Sequence, residues 1–122
     1  MNTAKVLARL DELYPEGKIK ILSSADPSEI VCEIDRNSRY PDYDLAIVII
    51  DKSAPHKHFK TQEIYRVTQG ELKVFVDGKE IILKEGEELI IEPGQAHSAE
   101  GEECWIECYS KPGWTPEDHI LV

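Results

Sequence analysis

The sequence predicts an all-β protein, a sandwich or barrel with one short N-terminal helix, in a single domain over residues 1–122. Three observations predict it. Nine short β-like runs follow one another along the chain, turn residues stand between them, and only one segment has helical periodicity.

That segment is the first fourteen residues. Ala4, Val6, Leu7, Leu10 and Leu13 recur at helical spacing, with Lys5, Arg9, Asp11 and Glu12 off the stripe, and Pro15 and Gly17 stop it. The predicted strands are 18–22, 30–35, 44–51, 63–68, 71–76, 80–83, 88–91, 96–99 and 104–109. Between them lie Asp26-Pro27, Gln69-Gly70, Asp77-Gly78, Glu85-Gly86, Pro93-Gly94 and Gly101. Asp77-Gly78 is a hairpin signal, because both central positions of a type I′ turn need positive φ. Residues 111–122 form a Pro-containing tail expected to lie along the barrel surface.

Composition excludes several classes. Fourteen basic residues against 24 acidic ones give a net charge of −10, which repels phosphate backbones and anionic lipid, so neither nucleic acid nor a membrane is an expected partner. The apolar run Leu45–Ile50 is far shorter than the ~18 residues a spanning helix needs. A cytoplasmic address is the default expectation. Three cysteines fit it: Cys104 and Cys108 are four apart in a strand-like run, about 13 Å at full extension, too far for a disulfide, though Cys32 could meet one of them.

Only four histidines exist, and three fall at strand starts. His56 and His58 are two apart, so on a strand both rings leave one face with Cα atoms about 6.6 Å apart. Glu63 follows across a bend, with Tyr65 and Val67 on its face, and His97 comes after the Pro93-Gly94 turn. Three imidazoles and a carboxylate form a borderline donor set for one divalent transition metal ion, such as Mn, Fe, Ni or Zn.

The string His56-Lys57-His58, then Glu63 and Gly70, resembles the first motif of the cupin family. Gly86, a hydrophobic strand, Pro93-Gly94 and His97 resemble the second. The likeness covers about residues 44–109 and departs from the family where Pro-x-Gly is shortened to Pro93-Gly94 and where Ser98 stands in place of an asparagine. It implies an eight-stranded jelly-roll barrel with His56, His58, Glu63 and His97 pointing inward as metal ligands, and a homodimer. The tail around Trp114 and His119 is similar to that of cupins related to sugar-phosphate isomerases, while His119 itself reads as a surface residue.

In the last strand Cys104, Ile106 and Cys108 share one side and Trp105, Glu107 and Tyr109 the other. The thiols and isoleucine are expected inward, since a buried carboxylate costs more; with the opposite choice Glu107 would enter the pocket. Ile64, Trp105 and Tyr109 facing outward, with the helix stripe, would leave an apolar surface for a two-fold partner. Three functions compete. A metal-dependent enzyme would act on a sugar, sugar acid or keto acid as an isomerase, decarboxylase or dioxygenase, with Tyr65 as a pocket residue. The others are a small-ligand binding or sensor module and a structural metal site.

Overall fold

The computed structural model describes residues 1–21 and 27–122. Leu22, at the end of the first predicted strand, and Asp26 of the Asp26-Pro27 turn lie outside the described residues. The elements run α1 (Thr3–Leu13), β1 (Lys18–Ile21), β2 (Glu29–Ile34), β3 (Asp44–Lys57), β4 (Gln62–Gln69), β5 (Leu72–Val76), β6 (Lys79–Leu83), β7 (Glu88–Ile91), β8 (His97–Lys111), a 3-10 turn (Pro116–Asp118) and β9 (Ile120–Leu121). The fold is all-β, an antiparallel barrel with one short helix.

Two long strands organise it. β3 pairs with β2 on one edge and along its whole length with β8 on the other, from Asp44↔Ser110 to His56↔His97. β8 gives its far edge first to β5 and then to β4. Each of these strands therefore serves three neighbours, β3 also taking β9, and their bends roll the sheet around an interior.

β8 is one strand where the sequence suggested two separated by a Gly101 turn. Gly101 marks a bulge instead: a Cβ there would come within 2.8 Å of Cys104 Cβ and 3.1 Å of the Ile50 carbonyl. Pairing skips between Ile50 and Lys52, and Glu103 takes a φ of 46°. Glycine is required by close approach of backbone, which propensity alone does not separate from a turn.

The period-2 alternation sorts two cores. Tyr65, Val67, Leu72, Val74, Ile91, Cys104, Ile106 and Cys108 fill the interior, as expected for β8. Outside β2, β3 and β8, a second cluster joins Val6 and Leu10 of α1 to Ile30, Cys32, Ile47, Ile49 and Trp105. Asn2 caps α1 by accepting from the Lys5 N–H, and the Tyr14 N–H closes the last turn on Leu10. Burial of Val6 and Leu10 holds the helix; Ala4 and Leu13 of the predicted stripe stay exposed. All three cysteines are free and buried.

The expected apolar surface is corrected. Trp105 and Tyr109 point out of the barrel but are buried at 8 % and 1 % exposure, as is Ile64 at 5 %. α1 covers Trp105, and the β2–β3 loop lays Tyr40 edge-on against Tyr109 at 4.8 Å between centroids. The chain's own elements cover what the sequence assigned to a partner subunit. Glu107 lies on this outer side, accepting from Tyr109 Oη at 3.1 Å, and stays out of the interior.

Candidate metal centre

The two motifs reach one point because β3 and β8 are paired there. His56 sits opposite His97 in the register, His58 lies just past the end of β3, and Glu63 is the second residue of the return strand β4. The Gly94 N–H donates to the His58 carbonyl at 2.6 Å, tying the two motif turns together, with Gly94 at a φ of 87°. One donor atom from each of His56, His58, Glu63 and His97 lies within 4.8 Å of all the others, and all four residues are buried.

Backbone carbonyls set the orientation. His56 Nδ1–H donates to the Ala54 carbonyl at 2.8 Å, His97 Nδ1–H to Gln95 at 3.0 Å and His58 Nδ1–H to Asp118 at 2.7 Å. A carbonyl can only accept, so each Nδ1 carries a proton, and in the neutral tautomer each Nε2 has its lone pair free for an ion. His97 Nε2 lies 3.1 Å from Glu63 Oε1. His58 Nε2 is 3.2 Å from the same oxygen, yet it is buried without a hydrogen-bond partner. The other carboxylate oxygen, Oε2, accepts from the Cys108 thiol at 3.3 Å. Three lone pairs and a carboxylate oxygen converge, and an orphaned buried nitrogen is among them, so the residues present fit a metal ion.

Electrostatics agree. Burial and the neighbouring His97 lower His56 to about 4, keeping it neutral. Burial alone would raise Glu63, but His58 and His97 outweigh it and hold the carboxyl well below the usual range. His58 is raised: burial opposes its charge, but Glu63 and the Asp118 contact prevail. Burial and Glu63 push the Cys108 thiol well up.

The structure corrects His119. It is half-buried, with its ring stacked on His56 at 4.4 Å between centroids and 19° between planes. Trp114 Nε1–H donates to His119 Nδ1 at 3.2 Å. The tail bearing both residues adds β9 to β3 beside His56, and Asp118 accepts from the backbone N–H groups of Phe59, Lys60 and Thr61. A surface tail is thus a strap over the centre. Tyr65 is buried in the interior core and lines the cavity, 6.1 Å from the His97 ring.

Sequence reasoning missed Glu29. It alternates with Val31 and Glu33 on the interior side of β2 and lines the cavity of about 870 Å³ that opens from the centre. Burial and the Glu63 charge push its carboxyl up to about 7. The signal was present as the Glu-x-Val-x-Glu alternation, which reads equally as a solvent face.

Residues 47–103 match the family model Cupin domain. The barrel has the cupin fold. No curated protein sequence matches the chain. Among solved structures, the chain is similar to a variant of Streptomyces PAC13 with uridine, at TM-score 0.72 and 10 % identity over 88 % of this chain and 85 % of the other. Pac13 is described as a nucleoside dehydratase. An RmlC-like cupin from Shewanella frigidimarina gives TM-score 0.62 and 20 % identity, covering 80 % and 86 %. Iron(II) HppE gives 0.63 and 15 %, covering 80 % and 57 %. At these identities the likeness establishes the fold. No helix among the described residues is long and apolar enough to cross a membrane.

Proposed function

We propose that this cupin is a metal-dependent enzyme acting on a small organic molecule, with His56, His58, Glu63 and His97 holding one divalent transition metal ion. The observation that carries the reading is the buried His58 Nε2 without a hydrogen-bond partner, aimed where three other donors meet. A bound ion would supply Lewis-acid polarisation of a substrate oxygen, or dioxygen chemistry if it is iron. The chain's own residues do the rest. Backbone carbonyls orient the imidazoles, and Cys108 holds one oxygen of Glu63. Tyr65 lines the cavity as a pocket residue, and the cavity confines the substrate.

A cavity open on the ligand side favours chemistry or ligand capture over a purely structural ion, whose four protein donors would be closed off. The sugar, sugar acid and keto acid classes all fit the available volume, and the similar structure with uridine adds nucleosides. A cytoplasmic address agrees with three free cysteines. We also infer a homodimer, now through edge strands: Ile90 on β7, which pairs only with β4 among the described residues, is 55 % exposed. Light scattering should give twice the 13.9 kDa chain mass, and a monomer mass at micromolar concentration refutes it.

The test of function is metal analysis of protein purified without chelator, followed by a thermal-shift screen of sugars, keto acids, catechols and nucleosides. One ion per chain and at least one stabilising compound are expected. Equal metal content in a His56→Ala, His58→Ala double variant removes the site assignment.

A further inference from the structure

Beyond the ligand cluster, the cavity wall has an uneven charge. Glu29, Glu33, Asp35, Asp44 and Glu63 line it, against Lys20 and Lys52: five carboxylates to two ammonium groups, a formal −3. No arginine lines it among the described residues. One lysine is already engaged, since Lys20 Nζ lies 2.7 Å from Glu33 Oε1 and 5.8 Å from the Trp114 ring centroid. The sequence of residues 22–26, Leu-Ser-Ser-Ala-Asp, contains no basic side chain to add. Phosphate and carboxylate groups are recognised by guanidinium forks, ammonium groups or clustered N–H donors. This wall offers acceptors instead.

Acceptors suit hydroxyl groups. Glu29 lines the cavity with no side-chain hydrogen bond to the rest of the described chain, and Ser53 and Ser110 line it too. On the tail side, Trp114 is 40 % exposed and Tyr43 and His119 complete an aromatic wall. A carboxyl group and an aromatic face together match a molecule with hydroxyls on its rim and an apolar or π face. A divalent ion at the centre brings the lining to a formal −1, so a full positive charge on the ligand is not required either.

We propose that the cavity admits an uncharged, hydroxyl-bearing small molecule, such as a free sugar, polyol or nucleoside, and excludes its phosphorylated or carboxylated counterpart. The inference deepens the small-molecule reading above and rests on it. It narrows that reading by setting aside sugar acids and keto acids. Selection works by repulsion as well as attraction: an anionic group placed away from the metal meets Glu33, Asp35 and Asp44, with Lys20 already held by Glu33.

The experiment compares matched pairs by calorimetric titration at pH 7.5: ribose with ribose 5-phosphate, glucose with glucose 6-phosphate and glucuronate, uridine with uridine 5′-phosphate. Glucosamine is a cationic control. Both metal-loaded and metal-free protein are titrated, with metal content measured alongside. At least one neutral member should bind, and its anionic partner should bind at least tenfold more weakly in both forms. Raising the salt should narrow the gap. A Glu29→Gln, Glu33→Gln variant, which also frees Lys20, should bring the pair within about threefold. Binding of an anionic member as tight as its neutral partner overturns the proposal. So does glucosamine outcompeting glucose in the metal-loaded protein, or the failure of every neutral member. Absence of bound metal with the neutral preference intact would remove the metal reading and leave the charge selection standing.

Discussion

Replacing Glu29 with Gln in the metal-free protein should raise its stability at alkaline pH and leave it nearly unchanged in mild acid. Glutamine copies the shape of the protonated acid but cannot ionise. The Glu29 carboxyl is pushed up to about 7 in the folded chain, against an ordinary value of 4.5, by burial and then by the Glu63 charge. Between these two values the folded state holds a proton that the unfolded state has released. The contribution is therefore complete below pH 4.5 and is lost as pH rises through 7. A separation of 2.5 between those values, at 1.36 kcal/mol per pH unit, sets an upper limit of about 3.4 kcal/mol; partial exposure brings the expectation to roughly 2–3 kcal/mol. For a chain of this length that is a rise of roughly 6–15 °C in Tm. Calorimetric melts of wild type and Glu29→Gln, both treated with chelator, at pH 5 and pH 8 measure it. A large gap should appear at pH 8 and a small one at pH 5, since titrating groups away from Glu29 cancel in the comparison. Restoring a divalent ion should shrink the gap, because a nearby cation favours the carboxylate. An equal gap at both pH values, or a variant less stable at pH 8, refutes the reasoning.

Single replacement of His58 or His97 by Ala should remove most bound metal and lower thermal stability, read by elemental analysis and melting, because an ion bound only to the folded state adds to its stability. Asp118→Ala should weaken metal affinity by about 10–100-fold without abolishing the fold, since it frees the 59–61 turn and the carbonyl that orients His58; a competitive-chelator titration measures this, and unchanged affinity contradicts the strap. Metal should be retained at pH 7.5 and lost as pH falls below about 5.5, because ligation needs neutral imidazoles. His58, raised above its ordinary value, should protonate before His56, which is lowered to about 4. Metal content that stays flat down to pH 4 would mean these histidines are not the ligands.

Much of this was legible in the sequence because it is written locally. Period-2 alternation decided which side of β8 faces inward, and His56, His58, Glu63 and His97 lie at strand ends whose spacing brings their side chains together. The rest depended on contacts between distant segments. Trp105 and Tyr109 leave the barrel as their alternation requires, but alternation says nothing of what covers them, and here a helix and a loop do so. Glu29 and Glu33 alternate like solvent-facing residues; only the curvature of the sheet turns that face inward. His119 carries no local mark of its stacking on His56, since a tail's course is set by where Asp118 finds three N–H donors.

The strap has a consequence for the order of events in synthesis. The carbonyl that orients His58 belongs to Asp118, 60 residues later, and the Val122 N–H closes on the Pro55 carbonyl. The metal centre therefore cannot be finished while residues 118–122 are still unmade. A chain stalled just before Asp118 would have its barrel strands and all four donors, yet would leave one imidazole unoriented and the mouth unsealed. Under the proposed function, full metal affinity waits on synthesis of the strap.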